Sequence, residues 1–253
     1  MQKILGYARR GIQSYNMISS GDKVAVGVSG GKDSLALLVS MARLRTIIDG
    51  GFELVAIALD ARFSGIDTDF SPVEKLCESL SVPFVLERTD IGAIVFDVRQ
   101  EKNPCSLCAK MRRGALHNAA KEFGCSRVAL GHHFDDVVET FMLNLFFEGR
   151  LGCFQPVTYL SRADLTLIRP MIYMPEKDVR YFSNRVDLPV MSSPCPADGN
   201  TEREEMKQLL HKLERENPGL RYRIFGAIQR GEIDGFRMTG RMQGMKSYED
   251  DTE

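Results

Sequence analysis

Two rhythms of apolar residues alternate along this chain. Short apolar runs at residues 24–28, 52–59, 83–87, 127–130 and 165–169 are separated by longer stretches in which apolar positions recur every three or four residues. The runs suit buried strands and the longer stretches suit amphipathic helices. Helices are expected at residues 4–18, 35–48, 71–80, 104–123 and 137–146, from about 175 to 186, and at 201–215 and 220–230. Thr201 and Glu204 are spaced as a capping box for the seventh of these. Strand and helix in alternation predict an α/β fold, a doubly wound parallel sheet of Rossmann-like type. Residues 148–162, rich in Gly, Pro and Tyr, read as a loop, and residues 89–103 carry no clear period. Beyond residue 237 periodicity is lost and the chain ends EDDTE, which reads as a mobile tail. The expected division is an N-terminal helical segment (1–22), a nucleotide-binding domain (23–195), a C-terminal helical extension (196–236) and the tail (237–253).

Composition narrows the function classes. The chain has 253 residues, 43% of them hydrophobic, enough for one α/β core with a modest extension. No apolar run approaches the length of a membrane span, so no membrane partner is expected. The start, MQKILGYARRG, lacks the apolar core of a signal peptide, and the expected location is the cytoplasm. A formal charge of −1 gives no global basic field, so contact with nucleic acid needs a local patch. Arg112, Arg113, Arg221, Arg223 and Arg230 fall in two short segments and are the candidates, whereas Arg9 and Arg10 read as a solvated helix face. Six cysteines in an unexported chain of this size imply core thiols and a metal site rather than disulfides.

The first strand runs directly into Ser29-Gly30-Gly31-Lys32-Asp33-Ser34, and Leu35, Leu37, Leu38 and Met41 then continue at helical spacing. A tight strand-to-helix turn aims backbone N–H groups and the positive helix end at one point, which suits phosphate. The glycines allow close backbone approach, the serines add hydroxyl donors and Lys32 adds charge. Asp33 fits either a Mg²⁺ or a cap on the helix. The Walker spacing GxxxxGK[ST] is absent. Strand ends of a parallel sheet line the ligand crevice, so Leu59 and Asp60 after the second strand and Gly131 and His132 after the fourth are expected beside the nucleotide.

Two further clusters carry chemistry. Cys105-Ser106-Leu107-Cys108 opens a helix that continues with Arg112 and Arg113, a setting for thiolates, a metal centre or an anionic substrate. His132-His133-Phe134-Asp135-Asp136 opens the next helix, and its carboxylates read as Mg²⁺ ligands, helix caps or both. Helical HExxH spacing is absent, which disfavours a protein-bound zinc there. Cys195 is fixed between Pro194 and Pro196, while Cys77 and Cys125 read as core thiols and Cys153 has no assigned role.

SGGKDS resembles the pyrophosphatase loop of the ATP-pyrophosphatase (PP-loop, HUP-type) superfamily, whose members cleave ATP between the α and β phosphates. The loop alone does not separate amide-forming, lysidine-forming and sulfur-inserting members. With Tyr15-Asn16-Met17-Ile18, Gly21-Asp22, PCSLCAKMRRGAL, ALGHHFDDVVETFMLNLF and Ser193-Pro194-Cys195, the chain over about residues 9–210 resembles the tRNA 2-thiocytidine synthetase (tRNA-cytidine 2-sulfurtransferase) family. The resemblance implies ATP and Mg²⁺ as cofactors and a [4Fe–4S] cluster held by Cys105, Cys108 and Cys195, with one iron left open to sulfide. It implies catalytic roles for Lys32, Asp33, Arg112, Asp135 and Asp136, with Asp33 and Asp136 on Mg²⁺. Expected partners are tRNA and a sulfur donor such as a cysteine desulfurase or free sulfide, and a homodimer is left open. The implied alternatives are a lysidine synthetase, for which three cysteines are unnecessary, and a non-catalytic ATP and cluster redox sensor. Departures from the family are Cys153-Phe154-Gln155-Pro156-Val157 in place of a Met-Pro-Pro-Lys block, and Pro196-Ala197-Asp198 where a further cysteine is often found.

Overall fold

The computed structural model describes residues 1–48, 50–99, 104–192, 194–195 and 202–239. Among them the apolar runs become strands β1 (Lys23–Val28), β2 (Glu53–Asp60), β3 (Phe84–Arg88), β4 (Arg127–Ala129) and β6 (Leu165–Ile168). A further strand, β5 (Val157–Leu160), lies in the segment expected to be a loop. The helices are α1 (Gln2–Ser14), α2 (Lys32–Leu44), α3 (Ser71–Ser79), α4 (Pro104–Glu122), α5 (Phe134–Phe147), α6 (Glu176–Arg185), α7 (Glu202–Glu216) and α8 (Leu220–Arg230). Residues 89–103, which carry no sequence period, contain a π-type turn at Ala93–Val98. Thr201 and residues 240–253, expected as a cap and as part of a mobile tail, are outside the described residues.

The sheet order is β3-β2-β1-β4-β6-β5. Its strands pair in parallel except β5, which runs antiparallel to β6 at the edge. Every residue of β2 after Glu53 is buried, as a strand covered on both faces requires. β5 has only four residues, none of them buried and Tyr159 exposed, so its run Val-Thr-Tyr-Leu is too short to stand out from the loop around it. Successive side chains of β1 and β2 alternate between two cores. Val24, Val26, Val28, Leu54, Ala56 and Ala58 face a large core with α1, α2, α3, α5, α6 and α8. Ala25, Val55, Ile57 and Leu59 face a smaller one closed by Leu116, Ala119 and Ala120 of α4.

β1 sits between β2 and β4, so the chain leaves it in opposite directions across the sheet. At such a switch point the carboxyl ends of adjacent strands part and open a crevice. Here those ends carry the segments that follow β1 and β4, Ser29–Ser34 and Gly131–Asp136. Among the described residues no helix is long and apolar enough to cross a membrane.

Candidate active site

The turn after β1 is built by its own serines. Ser34 Oγ accepts from the Ser29 amide (3.1 Å) and donates to the Gly31 carbonyl (2.9 Å), and Ser29 Oγ accepts from the Gly31 amide (3.3 Å). Gly30 takes φ +82°, and a Cβ there would stand 2.8 Å from Met191 Sδ. Gly31 is the N-cap of α2 and no side chain caps the helix, so the capping role open to Asp33 is not taken. The first-turn amides remain available to an anion.

Lys32 donates to both carboxylate oxygens of Asp33 (3.1 and 2.9 Å) and pairs with Glu176 Oε1 at 3.0 Å. Burial works to lower its pKa, but Asp33 and Glu176 outweigh burial and raise it. Glu176 also takes Lys207 (3.0 Å) and Arg180 (3.2 Å). Burial alone would raise its pKa, yet the donors Lys207 and Lys32 hold it far below the ordinary carboxylate range.

The segment after β4 packs directly on this turn. A Cβ on Gly131 would stand 3.1–3.2 Å from the backbone of Asp33 and Ser34, so a larger residue would press the two loops apart by a few tenths of an ångström. His133 and Asp136 form a reciprocal capping box on α5. The two neighbouring aspartates point apart, as adjacent helix positions must. Asp136 faces the crevice and accepts from Arg203 on Oδ1 (3.0 Å) and from the His133 amide on Oδ2 (2.9 Å). Asp135 is buried on the other side, where it takes the Glu176 amide (2.6 Å) and Arg221. Both its oxygens thus serve the fold, and the role expected for it at a Mg²⁺ has no counterpart in this arrangement. Arg221, expected on an RNA-facing patch, is buried in the same pair.

A cavity of about 400 Å³ fills the crevice, lined by Ser29, Asp33, Ser34, Gly131, His132 and Asp136, with Arg112, Arg113 and Arg203 as its cations. His132 packs on Phe154 with the rings tilted by 36° (4.8 Å between centroids), and burial lowers its pKa to about 4, so the ring is neutral near pH 7. Its Nδ1 is buried with no protein partner, an acceptor or donor left for a ligand. A second cavity of about 250 Å³ adjoins the first and holds Gly31, Asp60, Ala61, Phe63, Met191 and Cys195. Ser29, Leu59 and Arg112 belong to both walls. Asp60 reaches only the second cavity, and its carboxylate organises its own loop by accepting from the amides of Arg62 (3.0 Å) and Thr68 (2.9 Å).

Cys195 arrives on the segment after α6, which is tied to the phosphate turn by a bond from the Met191 amide to the Gly30 carbonyl (3.0 Å). Cys108 is buried with Ala61, Phe63, Ile91 and Val95, and Cys195 packs against that group. Cys105 is exposed at the start of α4. Burial raises the Cys108 pKa, Arg112 lowers it, and both Cys195 and Cys105 are near enough to push it up as like charges. Cys77 and Cys125 are core thiols, buried as expected. Cys153 packs against the large core beside Asp234, and burial pushes its thiol to about 12.

Residues 7–214 match the PP-loop domain family. Proteins named tRNA-cytidine(32) 2-sulfurtransferase are similar over most of their length. The one from Citrifermentans bemidjiense is 38% identical over 222 residues, covering 87% of this chain and 86% of its own. The one from Bordetella pertussis is also 38% identical, over 87% of this chain and 69% of its own. The chain belongs to the tRNA-cytidine 2-sulfurtransferase family of PP-loop enzymes. Among solved structures, the U34-tRNA thiolase NcsA from Methanococcus maripaludis with its [4Fe-4S] cluster is similar at a TM-score of 0.74 and 26% identity. That match covers 94% of this chain and 80% of the other.

The cavity fits the ATP of a PP-loop enzyme: an uncapped helix start, an orphaned His132 nitrogen and three arginines surround it. Asp33 and Asp136 present hard oxygen donors to it, the type Mg²⁺ prefers. Among the described residues no three His, Cys, Asp or Glu side chains are grouped tightly enough for a single metal ion. Cys105 and Cys195 both lie near enough to Cys108 to act on its thiol, and thiolates are the donors iron–sulfur clusters take. Three residues of this sulfurtransferase site escape the sequence: Glu176, Arg203 and Lys207. The two cations sit four apart on α7, a spacing that also describes an ordinary solvated face.

Proposed function

We propose that the chain is an ATP-dependent tRNA sulfurtransferase that replaces the C2 oxygen of a tRNA cytidine by sulfur. The observation carrying this reading is the shared wall of Ser29, Leu59 and Arg112 between the nucleotide cavity and the cavity of Cys195. A base lodged at that wall would have its carbonyl within reach of an α-phosphate on one side and of a sulfur source on the other. The carbonyl oxygen attacks the α-phosphorus, the bond to the β-phosphate breaks, and pyrophosphate leaves. Sulfide then forms a C–S bond at the activated carbon, and AMP departs with the former carbonyl oxygen. Lys32 and the α2 amides offset charge on the pyrophosphate as it forms, and Arg112 steadies the α-phosphate or the base. Asp33 and Asp136 hold Mg²⁺, which neutralises phosphate charge. Cys105, Cys108 and Cys195 hold the cluster, which supplies an iron site able to bind sulfur. The sulfur itself comes from a cysteine desulfurase or free sulfide.

On this reading residues 23–195 form the PP-loop domain, with residues 1–22 and 196–236 as helical additions and residues 237–253 as the tail. α1 packs on α2 and α6, and α7 and α8 pack on α5, so both additions brace the site. We place the enzyme in the cytoplasm.

The test follows pyrophosphate and thiolated nucleoside together. The wild-type chain releases pyrophosphate only with tRNA present, and mass spectrometry finds 2-thiocytidine. Lys32→Ala and Asp33→Ala lose turnover by at least about 100-fold while unfolding temperatures stay within a few degrees. Pyrophosphate release that ignores tRNA, or activity lost only where the fold is lost, would overturn the reading.

A further inference from the structure

Arg203 is the one residue of α7 that lines the nucleotide cavity, across from Arg112 and Arg113 of α4 and beside Asp136. Its guanidinium divides itself between two acceptors, Asp136 Oδ1 (3.0 Å) and Thr140 Oγ1 (3.1 Å). The side chain is 45% exposed, and a half-exposed pair of this kind is weakly held. The helix that carries it is fastened by other means. Met206 and Leu210 are buried in the large core, and Lys207 holds Glu176 at 3.0 Å. Arg203 can therefore leave Asp136 without undocking α7.

Asp136 has both oxygens engaged, one by Arg203 and one by the His133 amide. A triphosphate entering the cavity offers the guanidinium more charge than one carboxylate does, and in a planar form it matches. We propose that Arg203 is a phosphate-contacting residue for ATP, held on Asp136 until the nucleotide arrives and then transferred to it. The transfer also frees an Asp136 oxygen. This inference rests on the reading of the cavity as an ATP site, and its test keeps the two apart.

The test is calorimetric titration of the full chain with a non-hydrolysable ATP analogue and Mg²⁺, so no turnover is needed. Arg203→Ala weakens binding about ten-fold or more, the scale of one charge-assisted hydrogen bond. Arg203→Lys recovers part of that loss, and the affinity for adenosine, which has no phosphate, is unchanged in Arg203→Ala. Thr140→Val removes the second acceptor while keeping the charge, and ATP affinity stays within about two-fold. A Thr140→Val loss equal to that of Arg203→Ala would mean that Arg203 only fastens α7, and the inference would fail. Equal ATP affinity in wild type and Arg203→Ala would also overturn it while leaving the cavity reading intact. A wild-type chain that takes up no ATP analogue would sink both.

Discussion

The nucleotide side and the thiol side of the crevice are built by different means. On the nucleotide side two strand ends deliver short loops whose serine, glycine and capping bonds fix their own shape, and buried ion pairs back them. On the thiol side Cys105 is exposed, Cys108 is buried in a small satellite cluster, and Cys195 packs against that cluster. A site of the first kind is finished when the sheet folds. On the second side burial raises the Cys108 pKa, with Cys195 and Cys105 pushing the same way, so a metal that takes this thiolate must first displace its proton. The fold should therefore survive damage on the thiol side and suffer from damage behind the nucleotide.

The largest expected contrast is Cys105→Ser. The exposed thiol contributes little to stability, so unfolding and ATP affinity should match wild type, while anaerobically reconstituted iron and thiolation fall to background. Iron analysis beside calorimetry decides it, and full iron content in the variant would break the three-cysteine assignment. Next comes Asp135→Ala, which leaves the buried Arg221 guanidinium with the more distant Glu139 (3.7 Å) and takes the acceptor from the Glu176 amide. Removing one partner of such a pair costs about 3–5 kcal/mol. Urea unfolding should read that loss, and a loss below about 1 kcal/mol would show that these pairs do not support the site.

The smallest effect is one of pH. Burial, assisted by Asp136, pushes Glu139 up to about 7 against the pull of Arg203, Lys207 and Arg221. A carboxyl raised in the folded state binds a proton there before it does in the unfolded chain. Its contribution is full below the unfolded value near 4.5 and is lost as pH rises through about 7. Stability should thus fall by about 1–3 kcal/mol across that window. Glu139→Gln should remove this slope, and an unchanged slope would assign it to another group.

What the sequence revealed follows the same division. The phosphate turn was legible because a buried apolar strand, a polar turn and an amphipathic helix succeed one another without a gap. The convergence of Cys108 with Cys195 was legible from the rule that ligand loops gather at strand ends. Directions within a helix were not. Asp135 and Asp136 are neighbours with identical chemistry, and only the packing of α6 and α8 shows which one faces the crevice. Arg221 read as a surface cation because basic residues on a helix usually are, and a buried partner 86 positions away leaves no local mark. Arg203, Lys207 and Glu176 were hidden for the same reason. β5 was hidden by its length, four residues at the solvent edge of the sheet.

Position 30 is read by both chemistries at once. Its positive φ shapes the phosphate turn, its carbonyl anchors the segment that ends at Cys195, and its missing Cβ seats Met191. Any side chain there would strain the turn and displace the Met191 side chain in the same event. Sequence drift at this one residue is thus vetoed twice, and the two half-sites are bound to a common history: neither can be remodelled through Gly30 while the other stays as it is.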